Sequence, residues 1–233
     1  AEAISYALSG LAPIYWKQLA GIAAPAVLAP RPLWTLAFAL AVMRAGGGWN
    51  ELLRCLRSVE ALKWHSASGV LLTVNWLVYV WGVNHGHVIE TSLGYFLVPL
   101  VNVALGRAVL HERLRLVQWI AIASAAAGVL LLVWRVGRLP WIALTLAASF
   151  GSYGLVKKLA ATPALESMAV ETAAMAPAAV TFLVLVQLRG TGSFGHVALG
   201  TDLLLIAAGA VTAIPLLCFA AATRRVPLTV MGL

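Results

Sequence analysis

Charge is scarce in this chain of 233 residues: Asp, Glu, Lys and Arg make up 10% of it, and only eight residues are acidic. Soluble domains carry about 25% charged residues. A water-soluble fold of this size has too little charged surface here to cover itself. Cysteine is nearly absent, and Cys55 in a polar loop with Cys218 in an apolar run make neither a disulfide framework nor a metal spacing. A glycine-rich nucleotide loop is missing as well. Gly46-Gly47-Gly48 runs into Trp49 with no Lys-Ser/Thr pair behind it, which argues against an ATP-driven pump. Residues 1–4 hold Glu2 and no basic stretch, so the first apolar run reads as a membrane span rather than a leader. What abounds is hydrophobic: 62% of residues, with a mean hydropathy of +0.93. The net charge of +8 would point to a polyanion if the bases shared one exposed face. They fall instead in short clusters between apolar runs, which excludes a nucleic-acid partner, a soluble enzyme and a disordered chain.

A helix crosses about 30 Å of hydrocarbon with about 20 apolar residues. Eight segments meet that length: 3–21, 26–43, 64–83, 88–106, 116–134, 139–156, 168–188 and 203–222, and a ninth opens at Val226. The runs are continuous rather than alternating, so helices are predicted over barrel strands. Trp64 and Trp81 bracket the third run as interfacial anchors. Loop charges orient the bundle. Arg44, Arg54, Arg57, Lys63, Arg107, Arg113, Arg115, Lys157, Lys158, Arg224 and Arg225 fall on one side, against Arg135, Arg138 and Arg189 on the other. The positive-inside rule puts the richer side and the N-terminus in the cytoplasm.

The chain also repeats itself. A shift of 140 lays Tyr15-Trp16-Lys17-Gln18-Leu19-Ala20 on Leu155-Val156-Lys157-Lys158-Leu159-Ala160 and Arg31 on Glu171. A shift of 138 lays Val88, Thr91 and Gly94 on Val226, Thr229 and Gly232. A repeat of five spans is odd-numbered, so its second copy enters the membrane inverted, a transporter signature. The expected division is a first five-helix repeat over 1–135 and an inverted one over 139–233. With equal repeat lengths, the second lacks about 40 residues, its last two helices.

Three stretches carry a family resemblance: LAPIYWKQLAG from Leu11, ETSLGYFLVPLVNVALG from Glu90, and ERLRLVQW from Glu112. They resemble the RarD-type permeases of the EamA group in the drug/metabolite transporter superfamily, and the order and spacing of spans match over the whole chain. The resemblance implies ten helices in two inverted repeats, cytoplasmic termini and alternating-access movement of a small solute. Members of that family are associated with chloramphenicol sensitivity. Two departures stand out. The family tends to have Ala-His-Arg in span two, where Arg31 here lies between Pro30 and Pro32. It tends to have Gly before Glu112, where this chain has His111.

Charges inside a membrane cost at least about 2.5–3.5 kcal/mol each, which singles out Lys17, Arg31, Glu90 and Glu171. Lys17 and Glu90 lie near span ends and read equally as interfacial anchors. Arg31 and Glu171 lie deeper. They are expected to pair or to contact solute or a transported proton, with a structural ion pair as the alternative. Trp16, Asn75, Tyr79, Ser92, Tyr95, Asn102 and Tyr153 supply aromatic walls and hydrogen bonds for a cavity, or else helix–helix hydrogen bonds. Gly94, Pro99, Gly151 and Gly154 are candidate gate or hinge positions, with close helix packing as the other reading of the glycines. His85-Gly86-His87 with Glu90 is read as an interfacial turn rather than a metal site.

Together these features predict a secondary transporter of the bacterial inner membrane, monomeric or homodimeric. Its partners are the lipid bilayer and a small drug-like or metabolite solute, with the proton as coupling ion or facilitated diffusion without one as the two open modes. No cofactor, catalytic residue or metal is called for. A membrane-embedded enzyme acting on lipid and a non-transporting scaffold are the competing classes. The enzyme would need convergent catalytic groups that the chain does not display.

Overall fold

The computed structural model describes residues 15, 18, 27–114, 116–136, 140–160, 162–189, 199–223 and 227. Among them are eight α-helices and no strand: α1 Arg31–Gly46, α2 Trp49–Arg57, α3 Val59–Asn84, α4 Val88–Ala108, α5 Leu116–Val136, α6 Trp141–Ala160, α7 Ala164–Leu188 and α8 Leu199–Thr223. In hydrocarbon a backbone N–H finds no water, so apolar runs bond internally as helix. Four helices are long and apolar enough to cross a membrane, over Val59–Val83, Val88–Ala108, Ala164–Leu188 and Gly200–Ala221. Helices α1, α5 and α6 fall on three further predicted runs. The run at 3–21 lies outside the described residues save Tyr15 and Gln18.

Two elements differ from expectation. The run predicted from residue 26 is interrupted by a turn at residues 29 and 30, and α1 starts at Arg31 with Pro32 in its first turn. Pro30 and Pro32 remove two donors, and a helix loses nothing by a missing N–H only in its first turn. The polar connection after α1 is itself helical, forming α2. Gly47 and Gly48, at φ +87 and +110, make the break between them. These left-handed angles favour glycine, and a Cβ on Gly48 would lie 2.7 Å from Glu166 Oε1.

The chain forms two compact units, residues 1–70 with 160–222, and 71–159 with 223–233. Each draws helices from both expected repeats, so compactness and sequence repetition divide the chain differently. In the first unit α1 and α2 pack on α7, with Ala39, Met43, Leu52, Cys55, Met168, Ala169 and Val170 buried together. Helix α8 approaches α1 at Gly209, where a Cβ would lie 2.4 Å from the Trp34 carbonyl carbon. Thr35 Oγ1 donates to the Gly209 carbonyl at 3.3 Å beside that contact.

In the second unit α4 packs on α5, and Leu97 and Val98 of α4 are buried with Ala143 and Ala147 of α6. Helices α4 and α6 run in the same direction, with Gly94 against Leu146 and Gly151 against Val101. After α4 the chain turns through His111 at φ +55. That is the position where the resembled family tends to have Gly, and a left-handed angle explains the preference.

Gly209→Ala is expected to destabilise by about 1–3 kcal/mol, because the new methyl meets backbone rather than a movable side chain. Gly128→Ala, with nothing within 4 Å of its Cβ position, should leave the melting temperature in detergent unchanged or raised. His111→Gly should stabilise by about 0.5–1 kcal/mol, the left-handed penalty less the chain entropy that glycine loses. A lowered melting temperature in that variant would remove the strain assignment.

Candidate functional site

The most buried polar group in the first unit joins the start of α3 to the start of α7. His65 and Ser68 stand three apart on α3, and Ser167 and Glu171 four apart on α7, so each pair shares a helix face. All four are at most 1% exposed. The helices run parallel here, and Gly69 brings them close: its Cβ position is 3.4 Å from the Glu171 carbonyl oxygen.

Hydrogen bonds order this cluster. Thr162 Oγ1 donates to the Ala160 carbonyl at 3.1 Å, so its oxygen accepts from His65 Nε2, also at 3.1 Å. The network then assigns Nδ1 of the neutral ring as acceptor, and it meets the Ser167 hydroxyl at 3.2 Å. A protonated ring would donate from Nδ1 to the same oxygen, so the pocket holds either form. Ser68 is the pivot. Its hydroxyl faces the His65 carbonyl oxygen at 2.9 Å and also Glu171 Oε1. A hydroxyl has one proton to give. The carbonyl also accepts within the ladder of its own helix, so the bond that joins the two helices here is the one from Ser68 to Glu171.

Cys55 borders the cluster from α2. It is 4% exposed, with Thr162 beside it. Burial pushes its thiol above the ordinary range, and the charges of Glu51 and Glu166 add to this. Thr162 and Arg54 oppose it.

The second unit gathers the predicted aromatic residues into a row. Tyr79 meets Tyr95 edge to face at 5.8 Å, Tyr95 meets Phe150 at 6.4 Å, and Phe150 meets Tyr153 at 5.8 Å. Lys157 Nζ sits 5.3 Å from the Tyr153 ring centroid. Asn75 Nδ2 donates to the Leu146 carbonyl and to Ser149 Oγ, both at 3.0 Å. A shallow groove of about 430 Å³ runs alongside, lined by Leu71, Leu144, Thr145, Ala148, Ser149 and Ser152. Gly94 and Gly151 lie in the α4–α6 seam, where a Cβ would fall 2.8 Å from Leu146 Cβ and 2.5 Å from Val101 Cγ1. Buried Gly154 follows on α6, and Pro99 interrupts the α4 hydrogen-bond ladder. Asn102, fully buried on α4, has no hydrogen-bond partner for either amide atom among the described residues.

The remaining candidates are distributed. Trp16 and Lys17 lie outside the described residues. Arg31 opens α1 and donates from Nε and Nη2 to Thr212 Oγ1 of α8 at 3.1 and 2.8 Å. Glu90 Oε1 is 3.8 Å from His87 Nδ1, in a turn where Trp81 stacks with His85 and His87. Ser92 is exposed. Reading the sequence missed His65, Ser68 and Ser167. The signal was present as a stripe of His65, Ser68, Leu72 and Asn75 on one face of α3, all buried. It also treated Lys157 and Lys158 as loop charges, whereas α6 extends to Ala160 and contains both. Lys157 is buried, and Lys158 pairs with Glu112 at 2.7 Å. Cations are favoured in the last turn of a helix by its dipole, and these two lengthen α6.

Apolar helices of spanning length, joined by buried carboxylate, hydroxyl and imidazole groups, define a multi-pass α-helical membrane protein. The chain belongs to the EamA-like transporter family, which matches it over residues 3–134. Protein RarD of Salmonella typhi is 42% identical over 228 residues, covering 98% of this chain and 78% of that protein. The uncharacterized transporter YojE of Bacillus subtilis is 40% identical over 238 residues, covering 99% and 78%. The chloramphenicol-sensitive protein RarD of Pseudomonas aeruginosa is 30% identical over 161 residues, covering 67% and 54%. No solved structure matches the chain. The protein is therefore a RarD-type EamA permease.

The Cys55 environment makes a direct prediction. A raised thiol pKa lowers the thiolate fraction at any given pH. In a Cys218→Ser background, maleimide should modify native Cys55 at least about tenfold more slowly than an exposed thiol at pH 7. Its rate should keep climbing at alkaline pH, where ordinary thiols have levelled off. Labelling of native and detergent-unfolded protein at equal rates would contradict this burial.

Proposed function

We propose that this permease is a secondary transporter of the bacterial inner membrane, with its N-terminus in the cytoplasm. It moves a small drug-like or metabolite solute by alternating access, as an exporter or exchanger, with the proton as coupling ion. The observation that carries the reading is Ser68, whose single hydroxyl proton faces both a carbonyl oxygen and the Glu171 carboxylate. A proton arriving on Glu171 turns that carboxyl from an acceptor of the Ser68 hydroxyl into a donor to it, and its departure reverses the bond. That difference gives proton binding a mechanical output, since a ligand shifts an equilibrium only through differential interaction with its two states. His65, held by Thr162 and Ser167, is the adjoining acceptor.

Solute contact falls to Asn75, Tyr79, Tyr95 and Tyr153, whose edges and amide suit an aromatic solute with one or two polar groups. The α4–α6 seam, with Gly94, Pro99, Gly151 and Gly154, is the gate. Closed, it holds the Asn102 amide without a partner, which costs about 1–3 kcal/mol, and opening relieves that cost. The neutral probe to begin with is chloramphenicol, because one relative bears its name.

The test is accumulation of a panel of small solutes, starting with chloramphenicol, by cells and proteoliposomes containing the protein. For one proton per solute, the steady-state ratio should change about tenfold per unit of imposed pH difference. Glu171→Gln should abolish that dependence, while Ser68→Ala should weaken it. A wild-type response in Glu171→Gln removes the proton role. A chain that changes no flux while altering lipid composition would transfer the reading to a lipid-modifying enzyme.

A further inference from the structure

Helix α2 has a surface that transport does not use. Leu52 and Cys55 turn inward onto the core beside α7. Going round the helix at 100° per residue, the next arc holds Trp49, Leu53 and Leu56, which are 41%, 46% and 46% exposed. Beyond it come Arg57, Asn50 and Arg54, all exposed. A short helix with an exposed apolar arc bordered by an arginine arc has the composition of an element lying in a membrane interface. Its position in the chain agrees. Helix α2 ends at Arg57 and the spanning helix α3 begins at Val59, so one residue separates them. Glu60, Lys63 and Trp64 occupy the first turns of α3, which places the start of its apolar stretch about 8 Å further on. That distance is the thickness of one headgroup layer, about 5–8 Å.

At the border of the two arcs is an open depression of about 400 Å³ lined by Asn50, Leu53, Arg54, Arg57 and Ser58. Arg54 contacts Glu51 at 2.6 Å, so that carboxylate sits beside the depression and offsets part of its charge. Glu60 follows Arg57 by three residues across the break between α2 and α3, and the segment from Arg44 to Lys63 carries four bases against Glu51 and Glu60.

We infer that this depression seats the phosphate of an anionic phospholipid, with acyl chains running over Leu53, Leu56 and Trp49. Guanidinium forks bind phosphate oxygens in pairs, Asn50 and Ser58 add neutral donors, and the apolar arc beside them selects a lipid over a free phosphate ester. The seat ties α2, and through it the α7 face bearing Ser167 and Glu171, to the membrane surface.

The experiment uses the whole protein in nanodiscs of phosphatidylcholine with and without phosphatidylglycerol, reading bound lipid by native mass spectrometry and stability by thermal melting. Phosphatidylglycerol should bind in preference to phosphatidylcholine and raise the melting temperature. Arg54→Gln with Arg57→Gln should weaken phosphatidylglycerol binding about thirtyfold without changing the melting temperature in pure phosphatidylcholine, since both side chains are exposed. Arg54→Lys with Arg57→Lys keeps the charge but loses the fork, so it should also bind more weakly than wild type. Millimolar inorganic phosphate or glycerol phosphate should give no thermal shift. Wild-type lipid binding in either double variant, or an equal shift from inorganic phosphate, would overturn the seat.

Discussion

Hydrocarbon gives a polar side chain nothing to bond, so such a group either bonds back to its own helix, as Thr172 does to the Met168 carbonyl, or meets another helix. That constraint organises both units. Asn75 reaches α6, Arg31 reaches α8, and Ser68 reaches α7. Between such contacts the surfaces are Leu, Val and Ala, which pack against lipid nearly as well as against protein and so specify few neighbours. Small residues then set how closely the chosen partners approach. Gly94, Gly151 and Gly209 each lie where a Cβ would crowd the facing helix.

Within that framework the α3–α7 contact gathers four buried polar side chains, His65, Ser68, Ser167 and Glu171. Ser68 lies between the His65 carbonyl and the Glu171 carboxylate, and His65 lies between Thr162 and Ser167. The proposed coupling rests on this parallel helix pair. The aromatic row and the glycine seam of the second unit are built differently, from ring edges and close backbone.

Several of these features were legible beforehand for definite reasons. Membrane embedding follows from composition, and the runs that became α3, α4, α7 and α8 from their length. Tyr79, Tyr95 and Asn75 were identifiable because a polar atom on an apolar span is conspicuous. Glu171 stood out for the same reason. Its partners did not, since serine and histidine near a span end look like ordinary interfacial residues. The pseudo-symmetric match of Arg31 with Glu171 marked both as special but carried no information on contacts, which proved to include Thr212 for one and Ser68 for the other. Helix α2 was read as loop because its charge is high and its length short. Its helicity rests on burying Leu52 and Cys55 beside α7.

By itself, the amino-acid order determined that this chain crosses a membrane as helices, because the cost of unbonded backbone in hydrocarbon depends on local composition alone. It also marked His111 as a departure from the glycine of the resembled family, while the left-handed turn there came from the structure. Only the tertiary structure decided which polar residues meet. Two residues about a hundred positions apart, Ser68 and Glu171, are hydrogen-bonded because α3 and α7 approach closely at Gly69, and that contact depends on the shapes of both helices rather than on either segment's sequence.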